Sequence, residues 1–439
     1  MKNKFWISCI LSLLLFPAVN YAQLESFKLD DTTGFIRDLS QIRSKYHCLS
    51  FSGYLQIQYQ YADTSGIQTY NGGNFSPSCN NRFMIRRGRF RLDYENKTAT
   101  GFTKYYFGLQ FDGTERGVNI RDMFGRIYEN KFNFFVLTLG MFNRPFGYEL
   151  NYSSIYRESP ERGRMSQILM NTERDLGAMI SFEPQDKKSK WYPLKIDAGI
   201  FNGQGLTGTC EYDKFKDFIS RISLRKTEIM KKVYLSGGVS FLSGGFRNGS
   251  KYNYTAETDP AGIEIMHPDT SVNNIERKAP RIYHGADMQL SFENPLGKTE
   301  IRGEYIYGTQ SATYATSLTP GTPPLNKIGK ADSIFTRNFN GAYFYLLHTF
   351  LKKHQIFLKY DWYDPNTNVS GSHISTAHGF SIADIRYDTF GCGYIYYVND
   401  NLKFVLYFEH PMNEKTSHIS GYTKDRKDNT YSCRVQFRF

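Results

Sequence analysis

The chain has only 3 tryptophans and 9 histidines in 439 residues. Beyond its first twenty residues it has no apolar run near the ~20 residues that a spanning helix needs, so a helical membrane protein is excluded. Six cysteines are scattered without a Cys-x-x-Cys. Cys9 lies in the amino-terminal apolar run. The rest (Cys48, Cys79, Cys210, Cys392 and Cys433) form an odd set with neither a disulfide framework nor a zinc-site spacing. No metal and no cofactor are expected. There is no Gly-x-Ser-x-Gly elbow, and His284, His348 and His354 belong to no nucleophile–base motif. No catalytic residue is expected, and the chain is read as a non-enzyme. The net charge is +12, but the basic residues are dispersed rather than gathered in a patch or tail, so nucleic acid is not an expected partner.

Tyrosine and phenylalanine are abundant instead, 33 and 35, and aromatics make up 16% of the chain. Lys2 and Lys4 precede an apolar run from Phe5 to Phe16, followed by Pro17 and Ala18. This is the layout of a secretory signal over residues 1–22, with cleavage expected after Ala22. Residues 23–50 follow as a periplasmic segment. Ile36, Leu39, Ile42 and Tyr46 have helical spacing there, and the segment is too short for a plug domain.

From residue 51 onward the dominant pattern is period two. Alternating segments rich in Tyr, Phe, Val and Ile, bounded by Gly, Asn, Asp or Pro, read as strands. They fall near 51–62, 82–94, 102–112, 119–129, 132–142, 175–183, 194–202 and 217–226. The second half adds 232–242, 282–293, 299–308, 339–350, 354–363, 385–398, 401–410 and 429–439, which makes sixteen. The odd-numbered connections are mostly long: 63–81, 143–174, 243–281, 309–338, 364–384 and 411–428. The even-numbered ones are mostly tight, as at Asn130–Lys131, Asn294–Gly297 and Asn399–Asp400. Long loops at one end and tight turns at the other, with an even strand count, predict a 16-stranded antiparallel transmembrane β-barrel over 51–439. The last segment puts Tyr431, Cys433, Val435, Phe437 and Phe439 on one face. It resembles the closing strand of outer-membrane barrels, and the resemblance implies that Phe437 and Phe439 are read by the barrel-assembly machinery.

The two faces of each strand then have separate duties. Near 102–112, Tyr105, Phe107, Leu109 and Phe111 are expected to meet outer-membrane lipid. Lys104, Tyr106, Gly108, Gln110 and Asp112 are expected to meet the lumen. In the thirteenth strand Ile356, Leu358, Tyr360 and Trp362 point out, and Gln355, Lys359 and Asp361 point in. Arg87, Arg89, Arg91 and Asp93 share one face of the second strand. An arginine on the lipid side at mid-bilayer costs ~2–4 kcal/mol, so this face turns inward. Arg126, Arg221, Arg225, Arg434 and Arg438 also lie on polar faces. A lumen of this kind attracts small anions and repels cations. About half of these eight wall arginines are expected to be paired with carboxylates such as Asp93, Asp112 and Asp122.

The stretch after the fifth strand carries Gly140, Arg144-Pro145-Phe146-Gly147, Glu149, Ser153-Ser154, Glu161-Arg162 and Arg174-Asp175-Leu176-Gly177. With Phe83 to Arg91 and Asp122, it resembles the phosphate-selective porin family of the porin O and porin P type. The match spans roughly residues 50–205, and the later half agrees mainly in alternation. The resemblance implies a homotrimer in the outer membrane of a Gram-negative bacterium, in which loop 143–174 folds inward and narrows a phosphate or polyphosphate path. The matching basic positions are Arg87, Arg89, Arg91, Arg144, Arg162 and Arg174; Arg157 and Arg164 join them from their place in the same loop. Met141 and Asn143 stand where the family often has polar or basic residues. Glu149, Glu158, Glu161 and Glu173 are available to neutralise Arg144, Arg157, Arg162 and Arg174, which would leave a general or oligosaccharide-carrying pore. A barrel adhesin acting through its long outer loops is the remaining alternative.

Overall fold

The computed structural model describes residues 48–96, 104–208 and 212–439. The expected leader, the segment up to residue 47 and Cys210 lie outside the described residues. Sixteen long strands close into an antiparallel barrel. The first eight are β1 (Leu49–Ala62), β2 (Asn81–Asn96), β3 (Tyr105–Thr114), β4 (Gly117–Tyr128), β5 (Phe135–Asn143), β6 (Arg174–Phe182), β7 (Leu194–Phe201) and β8 (Asp217–Met230). The second eight are β9 (Val233–Arg247), β10 (Lys278–Asn294), β11 (Gly297–Ala312), β12 (Ile334–Phe350), β13 (His354–Asp364), β14 (Tyr387–Asn399), β15 (Leu402–Asn413) and β16 (Thr430–Arg438). Closure is made by β16 on β1, from Tyr54 opposite Arg438 to Ala62 opposite Thr430. Among the described residues no helix is long and apolar enough to cross a membrane.

All sixteen expected strands are present, and the outer ends of several run further than the aromatic alternation does. β9 continues to Arg247 and β10 starts at Lys278, pairing through the glycines Gly244 and Gly245. β12 starts at Ile334. The connection between β9 and β10, read as plain loop, contains a hairpin of Asn253–Thr258 with Glu264–Asp269, which also pairs in parallel with Ile334–Thr336. Their aromatics, Phe246, Tyr254 and Phe335, pack into local clusters instead of alternating outward.

Outward positions such as Ile57, Phe90, Phe107, Leu139, Leu346 and Leu406 are exposed in the isolated chain, as a lipid-facing belt requires. Phe437 and Phe439 point outward too, at 46% and 70% exposure. Phe439 exchanges backbone hydrogen bonds with Gly53. Its ring lies where a Cβ on Gly53 would stand, so only glycine leaves room for the terminal aromatic.

Two β-irregularities change what faces inward. One lies at Gln56/Ile57 opposite Arg86, the other at Gln110/Phe111 opposite Arg121. An extra residue in one strand of a pair breaks strict alternation locally. Arg86 and Arg121 therefore turn inward beside Arg87 and Asp122, although period two assigns them to lipid.

Candidate functional site

The β5–β6 connection, residues 144–173, folds into the barrel and binds wall strands all around it. Gly147 sits at φ +64, and a side chain there would collide with Glu304. That close approach lets the Tyr148 and Glu149 amides donate to Glu304 Oε2 of β11, at 3.2 and 2.9 Å. Across the lumen Gln56 Nε2 of β1 donates to the Ser154 carbonyl (3.0 Å), and Gln436 Nε2 of β16 to the Ile155 carbonyl (3.0 Å). Lys403 Nζ of β15 donates to the Ile155 and Arg157 carbonyls. On β12, Tyr345 Oη lies 2.7 Å from Ser159 Oγ.

One side of the loop is apolar. Phe146, Leu150 and the short helix α1 (Arg164–Leu169), with its Met165, Ile168 and Leu169, are buried against Tyr283, Ile306, Phe339 and Tyr363 of the wall. Each such side chain contributes ~1.5–3 kcal/mol by burial. Beside them Tyr343, Tyr345, Leu347, Phe357, Ile395, Val405 and Tyr407 form a second buried cluster on the inner faces of β12–β15. Gln355, Lys359 and Asp361 face inward there as expected, but they share the lumen face with these rings. Large rings fill much of that side.

The other side of the loop meets arginines from β2, β4, β6 and β16. Glu161 takes Arg86 (2.6 Å), Arg87 (2.6 Å) and Arg434 (3.4 Å). Glu173 takes Arg121 (2.5 Å), Arg162 (3.5 Å) and Arg174 (3.6 Å). Burial alone raises these two loop carboxyls, yet their guanidinium partners hold both well below the usual carboxylate range. Arg89 pairs with Asp112 (3.0 Å), Arg91 with Asp93 (2.8 Å) and Asp122 (3.1 Å), and Arg174 again with Asp122 (2.7 Å). Eight arginines here are in ion-pair contact with only five carboxylates, and Arg157 adds a ninth with no ion pair among the described residues. The excess positive charge sits beside a recess of about 330 Å³ bordered by Arg89, Arg91, Arg121, Arg157, Arg174 and Arg438.

The remaining residues singled out in the sequence divide clearly. Lys104 pairs with Glu95, Arg126 with Glu183 (2.6 Å), Arg221 with Asp287 (2.5 Å), Arg225 with Glu183 (3.8 Å) and Lys359 with Asp361 (2.8 Å). Seven of the eight wall arginines thus hold a carboxylate, more than the expected half. The proposed neutralisation inside the loop fails for most of its members. Glu149 accepts from the Gly163 amide (2.9 Å) and the Ser166 hydroxyl (2.5 Å), Glu158 takes Arg302 of β11 (2.9 Å), and Glu161 takes wall arginines. Only Glu173 serves loop arginines.

Four of the basic residues singled out have no ion pair among the described residues. Arg144 is buried and donates to the Thr172 carbonyl. Arg164 stacks on the rings of Tyr387 (3.6 Å) and Tyr70 (4.7 Å). Arg438 lies 5.7 Å from the Tyr156 ring. Arg157 is 4% exposed, and its Nε and Nη1 find no hydrogen-bond acceptor. Burial and the charge of Arg87 both pull its pKa below the ordinary arginine value. Arg86, Arg121, Arg302 and Lys403 escaped sequence reading. The cost of an arginine in lipid was the available signal for the first two.

The barrel resembles solved structures at low sequence identity. Pseudomonas putida OprB aligns at TM-score 0.58 and 9% identity over 92% of this chain and 97% of its own. The outer-membrane channel DcaP of Acinetobacter baumannii aligns at 0.53 and 12%, over 89% and 97%. The anion-selective porin from Comamonas acidovorans aligns at 0.51 and 10%, over 89% and 99%. The chain has the porin fold. No family model matches the sequence, and no curated protein matches it. Within the porin fold, the inward loop divides the lumen into a packed side and an arginine side.

Proposed function

We propose that the protein is a porin of a Gram-negative outer membrane and that small anions diffuse passively along the arginine side of its lumen. The observation that carries this reading is the charge imbalance there, nine arginines against five carboxylates. A path lined with excess guanidinium attracts anions, provided that binding stays weak and shared between sites. One structural neighbour is named an anion-selective porin, which agrees with this reading. In planar bilayers under a KCl gradient, the reversal potential is expected to show chloride more permeant than potassium. A cation-selective channel would refute the proposal.

Phosphate preference is a narrower reading within it. It rests on the resemblance around Arg144-Pro145-Phe146-Gly147 and on the bidentate fit of guanidinium to phosphate. Millimolar phosphate is then expected to block chloride current. The extensive pairing of the wall arginines favours the rival, a general pore without such block. A homotrimer, and recognition of Phe437 and Phe439 by the assembly machinery, belong to the same proposal.

A further inference from the structure

Arg157 and Tyr156 are neighbours on the loop, and Tyr156 stands between two recesses. Arg157 borders the 330 Å³ recess together with Ser153, Arg89 and Arg438. Tyr156, 53% exposed, also borders a second recess of about 490 Å³ at the inner mouth, with Tyr397 and with Asp400 and Asn401 of the β14–β15 turn. Tyr156, Arg438 and Phe439 line both. The two ends differ in chemistry. The first gathers unpaired cationic donors: Arg157 Nε and Nη1 lack acceptors, and Arg438 has no ion pair among the described residues. The second presents the exposed Tyr156 ring, with the Arg438 guanidinium 5.7 Å from its centre, beside a carboxylate and an amide, both exposed. Each recess lies within the ~300–1,000 Å³ typical of organic-ligand sites, far more room than an inorganic ion fills.

We infer that the paired recesses form a binding subsite for a phosphorylated sugar, its phosphate held by Arg157 and Arg438 and its pyranose ring stacked on Tyr156 with hydroxyls donated to Asp400. A bare oxyanion uses the first end alone and a neutral sugar the second alone. The inference rests on the porin reading for its purpose, while binding itself is measured separately.

Titration calorimetry of the whole folded chain in detergent, with glucose 6-phosphate, inorganic phosphate and glucose as probes, tests it. Glucose 6-phosphate is expected to bind at least tenfold more tightly than either other probe. Tyr156→Ala is expected to abolish the advantage over phosphate and leave phosphate binding unchanged, whereas Tyr156→Phe keeps the advantage. Arg157→Gln and, independently, Arg438→Gln are each expected to weaken both phosphate-bearing probes. Equal affinity for glucose 6-phosphate and phosphate overturns the inference, and so does an unchanged ratio in Tyr156→Ala. Bilayer conductance separates the two readings: a chain with the sugar-phosphate preference but no ion conductance overturns only the porin assignment, and a conducting chain without the preference overturns only this subsite.

Discussion

On β12–β15 the lumen-facing side chains include Tyr343, Tyr345, Phe357 and Tyr407, all buried against one another. On β1–β4 they include Gln56, Arg87 and Arg89, joined to the same loop by hydrogen bonds and an ion pair, and Asp122, paired with Arg174 where the loop enters β6. Both walls alternate with the same period, and both hold residues 144–173. They do so by different physics. The packed wall works mainly by burying apolar side chains of matching shape, with Lys403 and Tyr345 adding hydrogen bonds to the loop. The arginine wall works through charges that need partners, and the partners number fewer than the charges. Rigidity thus comes from one half of the lumen, and ion preference is proposed to come from the other.

The sharpest way to break this comparison is to remove the carboxylate on which three wall arginines converge. Glu161→Gln leaves Arg86, Arg87 and Arg434 without their shared partner. Stranding a buried charge costs ~3–5 kcal/mol, and the loop is expected to loosen on the arginine side alone. The chloride-to-potassium permeability ratio in bilayers should rise as well, because the positive excess grows by one. A variant with unchanged stability and unchanged selectivity would erase the distinction between the two walls.

A smaller effect of the opposite character is expected on the packed side. Leu169 is 2% exposed within the cluster that seats α1. Leu169→Ala should cost about 3 kcal/mol, within the usual range for emptying a core position, read as a lower denaturant midpoint. Open-channel noise should increase while the permeability ratio stays put. A shift in selectivity as large as that of Glu161→Gln would show that the halves are not separable.

The architecture was legible in the sequence because alternation is a local property, and every barrel strand carries it. The two walls were not equally legible. Inward Arg87 and Arg89 stood out because lipid rejects them, but Phe357 and Tyr407 fill the lumen in a register where rings on either face look alike. Arg86 and Arg121 were hidden by irregularities that only strand pairing reveals. The partners of Glu158 and Glu161 were out of reach for a related reason. Their arginines, Arg302 and Arg434, are 144 and 273 residues away in the chain. Proximity in sequence suggested Arg157 and Arg162 instead, and the loop's path across the lumen decided otherwise.

The smallest effect is a pH dependence that should be stronger on the arginine wall. Glu161 and Glu173 have folded-state pKa values depressed by their arginine clusters. The stabilisation they supply is therefore complete above the unfolded carboxylate value of ~4.3, and it is lost as pH falls below that value toward their folded pKa. The loop's arginine side is expected to stay docked at pH 5 and to begin releasing only in stronger acid. The packed wall also carries carboxylates, Glu304 on the loop amides of Tyr148 and Glu149 and Glu409 on Tyr407, but the burial of Phe146, Leu150 and Leu169 against it needs no charge, so it should continue to hold the loop. Limited proteolysis in acid then has a directional outcome. Cuts near Glu161 and Glu173 should appear before cuts near Phe146, and in Glu161→Gln they should already appear at pH 6. Simultaneous release of both sides would mean that the packed wall cannot hold the loop without the charges, and the division of labour between the two halves would have to be abandoned.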